Sequence, residues 1–249
     1  MSLRTRTDAA LRCIASAVAA HRPAAFASSF GAEDMVVLDL VAELDATLRD
    51  AIEIFTLDTG RLPRETLDLI DRSRRHYGVT VHVYRPDPAA VAEYVSQHGR
   101  DAFYGSIELR RRCCAIRKTE PLNRALAAKT LWITGLRREQ ATTRAGVDVL
   151  AFDAANRLMK LNPLAEWSHD DVWAYLRHHG VPVNALHARG YPSIGCEPCT
   201  RAVRTDEDPR AGRWWWEQAD TRECGLHVAP DGRLVPRHDD SKSIARSSD

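Results

Sequence analysis

The chain has 249 residues, which is long enough for one large α/β domain with its own hydrophobic core. Its 35 basic and 34 acidic side chains leave a net charge of +1, so no overall basic field favours nucleic acid or a membrane surface as a partner. No apolar run approaches the roughly 20 residues of a membrane span, and we expect no signal peptide at the N-terminus. Six cysteines in a chain of this length do not form a secreted disulfide framework, which favours a reducing cytoplasm.

The N-terminal part of the chain predicts a strand–loop–helix unit. An amphipathic helix over 1–22 precedes a short buried strand at 23–27, and a Ser/Gly loop then leads into a helix over 35–44. This order of elements directs backbone N–H groups and a helix dipole at a bound phosphate. The second strand, 52–57, ends at Asp58-Thr59-Gly60-Arg61, and polar groups at the carboxyl ends of parallel strands are where open α/β sheets bind ligands.

Strands and helices continue to alternate, which predicts an open, mostly parallel sheet with helices on both faces. The remaining predicted helices are 63–75, 89–98 and 172–179, together with a helix that begins at the Cys113-Cys114 stretch and runs to Leu126. The remaining predicted strands are 79–84 and 131–134, and 158–163 is predicted to be extended.

Four cysteines occur as two pairs, which suits a bound metal centre better than packing. Cys113 and Cys114 are adjacent and lie in a run of five cations, and Cys196 and Cys199 form a CxxC pair about 80 residues later. The cations would lower thiolate pKa values and offset the negative charge of a thiolate-ligated cluster. From spacing alone an iron–sulfur cluster, a zinc ion, and a disulfide or idle thiols all stay open, although adjacent cysteines are awkward for one small tetrahedral ion.

The two other cysteines have different surroundings. Cys13 falls near the apolar face of the first predicted helix, where a small buried thiol is expected. Cys224 stands alone on a polar stretch with Gly225 next to it and His227 three residues on, which favours a nucleophile. Cations cluster locally at 110–118, 137–144 and 201–213, which indicates a small anionic ligand rather than a polymer, even beside the three tryptophans at 214–216.

Taken together, these residues resemble the assimilatory adenylyl-sulfate/phosphoadenylyl-sulfate (APS/PAPS) reductases, thioredoxin-dependent enzymes related to the PP-loop ATP pyrophosphatases. The resemblance runs from about Phe26 to His227. It rests on Ser-Phe-Gly-Ala-Glu-Asp (29–34), Leu-Asp-Thr-Gly-Arg (57–61), Cys-Cys-x-x-Arg-Lys-x-x-Pro-Leu (113–122), Gly-Leu-Arg-Arg-Glu-Gln (135–140), Cys-Glu-Pro-Cys (196–199) and Glu-Cys-Gly-Leu-His (223–227).

The resemblance implies a sheet of the adenine nucleotide alpha hydrolase-like, PP-loop type, with a nucleotide-binding reductase domain at 1–215 and a mobile C-terminal tail at 216–249. It also implies a [4Fe–4S] cluster held by Cys113, Cys114, Cys196 and Cys199. Family members with these four cysteines mostly reduce APS, so APS is the expected substrate, with PAPS or dual activity as the alternative. A more distant alternative is an ATP-dependent tRNA thiolation enzyme, but the SGGxDS loop and the broad basic face expected of it are missing.

The mechanism implied by the resemblance uses the Cys224 thiolate to attack APS, which expels AMP and leaves an S-sulfocysteine. Thioredoxin or glutaredoxin then releases sulfite, in the assimilation of sulfate for cysteine biosynthesis. Lys118 would stabilise the developing charge, and His227 would orient the tail or support the thiolate. A homodimer or homotetramer is expected by analogy. The implied substrate-binding residues are Ser28, Ser29, Phe30, Gly31, Ala32, Glu33, Asp34, Leu57, Asp58, Thr59, Gly60, Arg61, Gly135, Arg137, Arg138, Arg144, Arg210 and Arg213.

Overall fold

The computed structural model describes residues 1–141 and 144–217. The strands in this part of the chain are β1 (Ala24–Ala27), β2 (Ile52–Leu57), β3 (His82–Tyr84), β4 (Leu131–Ile133), β5 (Leu150–Asp153) and β6 (Leu158–Leu161). The α-helices are α1 (Leu3–Ala20), α2 (Ala32–Ala42), α3 (Ala46–Arg49), α4 (Arg64–Tyr77), α5 (Pro88–His98), α6 (Ile107–Cys114), α7 (Glu120–Leu126) and α8 (His169–His179).

The strands form one sheet in the order β3-β2-β1-β4-β6-β5. Every neighbouring pair is parallel except β5 and β6, which are antiparallel. From β1 the chain moves outward through β2 to β3, and it then returns to the other side of β1 as β4. The strand order therefore reverses between β1 and β4, and in open α/β sheets ligands bind outside the carboxyl ends of the strands at such a point.

The alternation of side chains along the central strands explains why both faces of the sheet are covered. Phe26 and Ile133 point into the larger hydrophobic cluster, which also holds apolar side chains of α1, α2, α4 and α8. Ala25 and Trp132, their neighbours in sequence, point into a second cluster with side chains of α7. Successive residues of a strand face opposite sides, so helices pack on both faces. The predicted fold class is confirmed for the described residues; the predicted mobile tail lies almost entirely outside them.

A shared carboxylate ties three helices together on the larger face. Asp39 of α2 accepts hydrogen bonds from the hydroxyl groups of Tyr77 at 2.8 Å and Tyr175 at 2.7 Å, which belong to α4 and α8. Burial raises the pKa of both tyrosines, and the nearby Asp39 carboxylate raises it further. Both phenols therefore remain protonated donors, and they hold α2 in place against its neighbours.

The cysteine pair lies at the end of a helix rather than at the start of one. Ser106 caps α6 by accepting a hydrogen bond from the backbone N–H of Leu109, so this helix begins before the cysteines and ends at Cys114. A π-helical turn over Ala115–Thr119 follows, and α7 begins after it with Pro121 in its first turn. Such turns often occur at functional sites because they shift the direction of the side chains that follow.

The sequence pattern did not predict β5. It predicted a third strand that begins at residue 79, whereas β3 begins at His82. β5 is an edge strand whose Leu150 and Phe152 are exposed, so the hydrophobic alternation that marks a half-buried strand is weak. β3 has only three residues, since just this stretch reaches β2 to pair with it. No helix among residues 1–141 and 144–217 is long and apolar enough to cross a membrane.

Candidate active site

A cavity of about 510 Å³ lies at the carboxyl ends of β1, β2 and β4, where the strand order reverses. Its walls come from the loops that follow these three strands, at 28–34, 57–62 and 134–137, and from two later segments at 192–196 and 208–214. Small-molecule sites usually have volumes of about 300–1,000 Å³, so this cavity can hold a ligand the size of a nucleotide.

The loop after β1 is held in shape by the first turn of the helix that follows it. Asp34 accepts hydrogen bonds from the Ser29 backbone N–H at 2.6 Å and from the Ser29 hydroxyl at 2.7 Å. Phe30 lies in the left-handed region at φ 58°, and its ring is buried in the core rather than in the cavity. Gly31 precedes the first residue of α2, so the N-terminus of this 11-residue helix opens toward the cavity wall.

Asp34 is itself packed against the loop after β4. Burial raises the pKa of its carboxyl to about 6, even though the hydrogen bonds from Ser29 act in the opposite direction. A Cβ atom at Gly135 would lie 2.3 Å from Asp34 Oδ1, so only glycine lets the two loops approach this closely. The loops after β1 and β4 therefore form one wall of the cavity.

Among the residues that the structure describes, five with cationic side chains line the cavity: Lys118, Arg137, Arg144, Arg210 and Arg213. Arg137 is buried and donates from Nε and Nη2 to Glu33 Oε1 at 2.9 and 2.7 Å, as well as to the carbonyl of Trp167 at 3.2 Å. Burial raises the pKa of Glu33, but the charge of Arg137 and the hydrogen bonds from Gln140 and Arg137 together outweigh it, and the net shift is downward. Arg137 is thus committed to an ion pair that shapes the wall.

The Arg213 side chain lines the cavity and packs closely against Gly195. Its guanidinium lies 4.7 Å from the centre of the Trp214 ring and donates to the carbonyl of Ile194 at 3.2 Å. A Cβ atom at Gly195 would come within 2.2 Å of an Arg213 nitrogen, so any larger residue would displace this cation. The glycine before the CxxC pair is therefore what lets Arg213 lie against this segment.

The four paired cysteines line a second, smaller cavity of about 20 Å³. Cys113 and Cys114 come from the end of α6, while Cys196 immediately precedes the short turn at Glu197–Cys199 and Cys199 ends it. The other residues around it are mainly cationic or aromatic, namely Arg61, Phe103, Arg110, Arg117, Lys118, Pro198 and Trp214. The structure therefore brings together two pairs of thiols that are more than 80 residues apart in sequence.

The spread of the four sulfur atoms does not fit one zinc ion. Tetrahedral zinc with Zn–S bonds of about 2.3 Å requires sulfur atoms about 3.8 Å apart. Among the described residues, no three cysteines have Sγ atoms within 4.8 Å of one another. Four thiols around a wider space, of which Cys196 and Cys199 are buried and Cys113 and Cys114 half-buried, fit the donor set of an iron–sulfur cluster with cations beside it.

The thiols differ in how easily they lose a proton. Burial raises the pKa of Cys113, and burial together with Cys196 raises the pKa of Cys199 to about 12. Cys196 is different: burial raises its pKa, but Lys118, the Thr59 hydroxyl, Arg213 and Arg117 together outweigh that effect, and the net shift is downward. Four thiolates can coexist in this space only with further positive charge, which a bound metal cluster would provide.

The loop after β2 joins the two cavities. The Thr59 hydroxyl lies 3.2 Å from Cys196 Sγ, and the Thr59 carbonyl accepts from Arg117 Nη1 at 2.7 Å. Arg61 turns away from the large cavity and lies over Phe103, 5.0 Å from the ring centre, beside the cysteines. Lys118, Cys196 and Trp214 line both cavities, so the two share a wall.

Most of the predicted substrate-binding residues meet at the large cavity. Those that line it are Ser28, Ser29, Gly31, Ala32, Glu33, Asp34, Leu57, Thr59, Gly135, Arg137, Arg144, Arg210 and Arg213. Phe30, Asp58, Gly60, Arg61 and Arg138 are not part of its lining. Asp58 pairs with Arg85, and Arg138 donates to the carbonyl of Val147 at 2.8 Å. The predicted nucleophile Cys224 and its neighbour His227 lie outside the described residues.

Several lining residues were not predicted from the sequence. Ser193, Ile194 and Gly195 form part of the wall, although the sequence predicted a functional role only for the CxxC pair after them. His169 and His187 also line the cavity. His169 is exposed, and its place at the start of α8 puts it at the border of the cavity. The position of His187 depends on the fold of 181–192, for which the sequence carries no periodic signal.

The model of the phosphoadenosine phosphosulfate reductase domain family matches residues 23–202. The chain belongs to this family. The adenosine 5'-phosphosulfate reductase of Allochromatium vinosum is 54% identical over 226 residues, which cover 91% of this chain and 87% of that protein. The reductase of the same name from Burkholderia cepacia is 56% identical over 208 residues, covering 84% of this chain and 82% of that protein.

A solved structure agrees with these matches. The phosphoadenylyl-sulfate (PAPS) reductase from Candida auris, in a phosphate complex, superposes with a TM-score of 0.66 at 25% identity and covers 78% of this chain and 90% of that chain. The predicted family is therefore confirmed, and the chain is an enzyme of this reductase family.

The contact between Gly135 and Asp34 predicts that Gly135→Ala destabilises the fold. The added methyl group must push Asp34 and the loop after β1 aside, and overpacking of this kind costs about 1–3 kcal/mol. We expect the melting temperature to fall by roughly 2–10 °C in a thermal denaturation experiment without ligand.

Gly31→Ala is the matched control on the same wall. Gly31 has an ordinary φ of −73°, and a Cβ atom there would approach no atom closer than the Ser29 hydroxyl oxygen at 3.5 Å. This variant should melt within about 2 °C of the unsubstituted protein. Equal melting temperatures for both variants would contradict the close approach of the two loops.

Proposed function

We propose that this enzyme reduces APS to sulfite and AMP with thioredoxin or glutaredoxin as the electron donor. The observation that carries the proposal is the shared wall: a cavity of nucleotide size and a four-cysteine cavity meet at Lys118, Cys196 and Trp214. Two relatives that are more than half identical to the chain are named adenosine 5'-phosphosulfate reductase, which supports APS as the substrate.

The proposed nucleophile is the thiolate of Cys224. It attacks the sulfur atom of APS, so a sulfur–sulfur bond forms, the bond from sulfur to the phosphate oxygen breaks, and its electron pair leaves with AMP. The product on the enzyme is an S-sulfocysteine. A thioredoxin thiolate then attacks the Cys224 sulfur and sulfite departs with the electron pair of the broken bond. The second thioredoxin thiol resolves the mixed disulfide, so the two electrons come from the thioredoxin dithiol.

The cations of the cavity would stabilise the charge that develops on AMP as it leaves. Lys118, Arg144, Arg210 and Arg213 border the cavity and can face a phosphosulfate group. Arg137 has a different proposed role, because its ion pair with Glu33 holds the wall that the nucleotide would contact. His227 is proposed to orient the tail or to support the Cys224 thiolate.

The nucleotide would occupy the cavity at the reversal of strand order. Residues 28–34 would wrap its phosphate end, since α2 begins there. Leu57 and Thr59 would contact the adenosine portion, while Arg61 is placed to support the cysteine cavity instead. The reaction is proposed to serve cysteine biosynthesis in the cytoplasm. A homo-oligomeric state stays a prediction.

Cys113, Cys114, Cys196 and Cys199 are proposed to hold a [4Fe–4S] cluster. When bound, such a cluster would cross-link α6 to the 196–199 turn and supply fixed charge beside Lys118, without a change of oxidation state. The four thiols, their spacing and the surrounding cations support this assignment. No flavin or nicotinamide is required, because the thiols carry the electrons.

Cys224→Ser should abolish sulfite formation, because a hydroxyl group is far less nucleophilic than a thiolate. We expect sulfite release from APS with reduced thioredoxin to fall by roughly a thousandfold or more. AMP affinity and iron content should stay unchanged. Cys13→Ser is the matched control, since Cys13 packs against the larger hydrophobic cluster and lines neither cavity. Sulfite release that persists in Cys224→Ser would refute the nucleophile assignment.

Cys199→Ser tests the cluster. Anaerobically purified protein should contain about four iron atoms per chain and absorb visible light, and this variant should lose both iron and colour. Cys13→Ser should retain them. Protein that is colourless and contains zinc would overturn the cluster assignment.

The choice between APS and PAPS is tested by comparing kcat/KM for the two substrates with the same thioredoxin. We expect a preference for APS of at least about tenfold, which corresponds to about 1.4 kcal/mol of transition-state binding. Equal values would identify a dual reductase, and a preference for PAPS would contradict the proposed substrate.

A further inference from the structure

A buried ion pair connects the helix of the first cysteine pair to the last described residue of the chain. Arg110 of α6 donates from Nε to Glu217 Oε1 and from Nη2 to Glu217 Oε2, both at 2.8 Å. The two side chains are only 1% and 3% exposed. Two parallel hydrogen bonds of this kind fix the orientation of both partners as well as their distance.

The pair lies at the cysteine cavity. The Arg110 guanidinium is 4.8 Å from the centre of the Trp214 ring and also interacts with the Cys114 thiol. Trp214 lines both cavities, and the backbone N–H of Glu217 donates to the Trp214 carbonyl at 2.8 Å. Arg110 therefore links one of the four cysteines to the point from which the chain continues toward Cys224.

The position of Glu217 matters because Cys224 lies only a short distance further along the chain. Cys224 follows Glu217 by seven residues. Seven extended residues span at most about 25 Å, and Glu217 is hydrogen-bonded to Trp214, which lines the nucleotide cavity, so a chain anchored at Glu217 is long enough to bring Cys224 to that cavity. If the pair were broken, the direction in which the chain leaves Glu217 would no longer be fixed, and a misplacement of about 1 Å at a reacting group can cost about a hundredfold in rate.

Stability alone is a weak explanation for the pair. Removing two charged groups from water is costly, and well-packed apolar residues often stabilise a core equally well or better. What an Arg–Glu pair adds is a defined geometry between two segments that are 107 residues apart in sequence.

We propose that the Arg110–Glu217 pair is a clamp that positions the segment carrying Cys224 for attack on the substrate. Glu217 is thus a positioning residue, and this inference rests on the proposed function. A clamp should affect the rate of attack at saturating substrate, while the affinity of the cavity for the nucleotide should not depend on it.

The test is a single-turnover experiment with the iron-loaded enzyme and saturating APS, without thioredoxin. The S-sulfo adduct on Cys224 is followed by mass spectrometry. We expect Glu217→Gln, which keeps the shape but loses the charge, to form the adduct more than tenfold more slowly. AMP affinity and iron content should stay within twofold. Glu207→Gln is the matched control, because Glu207 also accepts two hydrogen bonds from an arginine, Arg201, but lines neither cavity.

A second variant separates positioning from stability. Arg110→Met combined with Glu217→Leu removes the clamp without leaving a buried charge, so its melting temperature should match the unsubstituted protein while adduct formation stays slow. This variant decides the question if Glu217→Gln unfolds or loses iron. An unchanged rate in Glu217→Gln, or recovery of the rate together with stability in the double variant, would overturn the clamp. Absence of any adduct on Cys224 in the unsubstituted enzyme would instead refute the proposed function.

Discussion

The balance of charge around Cys196 is the constraint on which the site depends. This thiol is buried between two cavities, and burial alone would keep it protonated. Lys118, Arg117 and Arg213 outweigh that effect and lower its pKa, with help from the Thr59 hydroxyl. Lys118 and Arg213 also line the large cavity, where they can meet an anionic ligand. The thiol site and the anion site therefore share their cations, and neither could be altered without changing the other.

Two of the buried arginines, Arg137 and Arg110, are each paired with a carboxylate. Arg137 and Arg110 each form short hydrogen bonds with one carboxylate, Glu33 and Glu217, and both are nearly inaccessible to water. A buried cation that is matched by a carboxylate mainly fixes geometry, because much of its charge is neutralised. This explains why a strand-end arginine such as Arg137, which the sequence marks as a ligand contact, also serves to hold the loop after β1 against the loop after β4.

The sequence predicted the central sheet well because the buried strands carry short apolar runs that end in polar residues. Thr59, Gly135 and the four cysteines were predicted for the same reason: each follows a strand or stands in a recognisable spacing. Local pattern could not predict the rest. β5 lies at an edge with exposed apolar side chains, and the pairing of Arg110 with Glu217 joins segments that are 107 residues apart. The Gly195–Arg213 contact likewise depends on tertiary approach rather than on spacing.

The architecture also bears on where a catalytic thiol can come from. Among the described residues that line the large cavity, Cys196 is the sole cysteine, and it is buried, lies 3.2 Å from the Thr59 hydroxyl and belongs to the four-cysteine cavity. In the proposed reaction, the catalytic thiol reacts first with the nucleotide substrate and then with a thiol of another protein, so it needs access to both. Cys196 lacks this access, whereas the proposed nucleophile Cys224 follows Glu217 by seven residues, a length of chain sufficient to span from Glu217 to the cavity. The arrangement of the cavity wall therefore favours a nucleophile that is supplied from the C-terminal part of the chain.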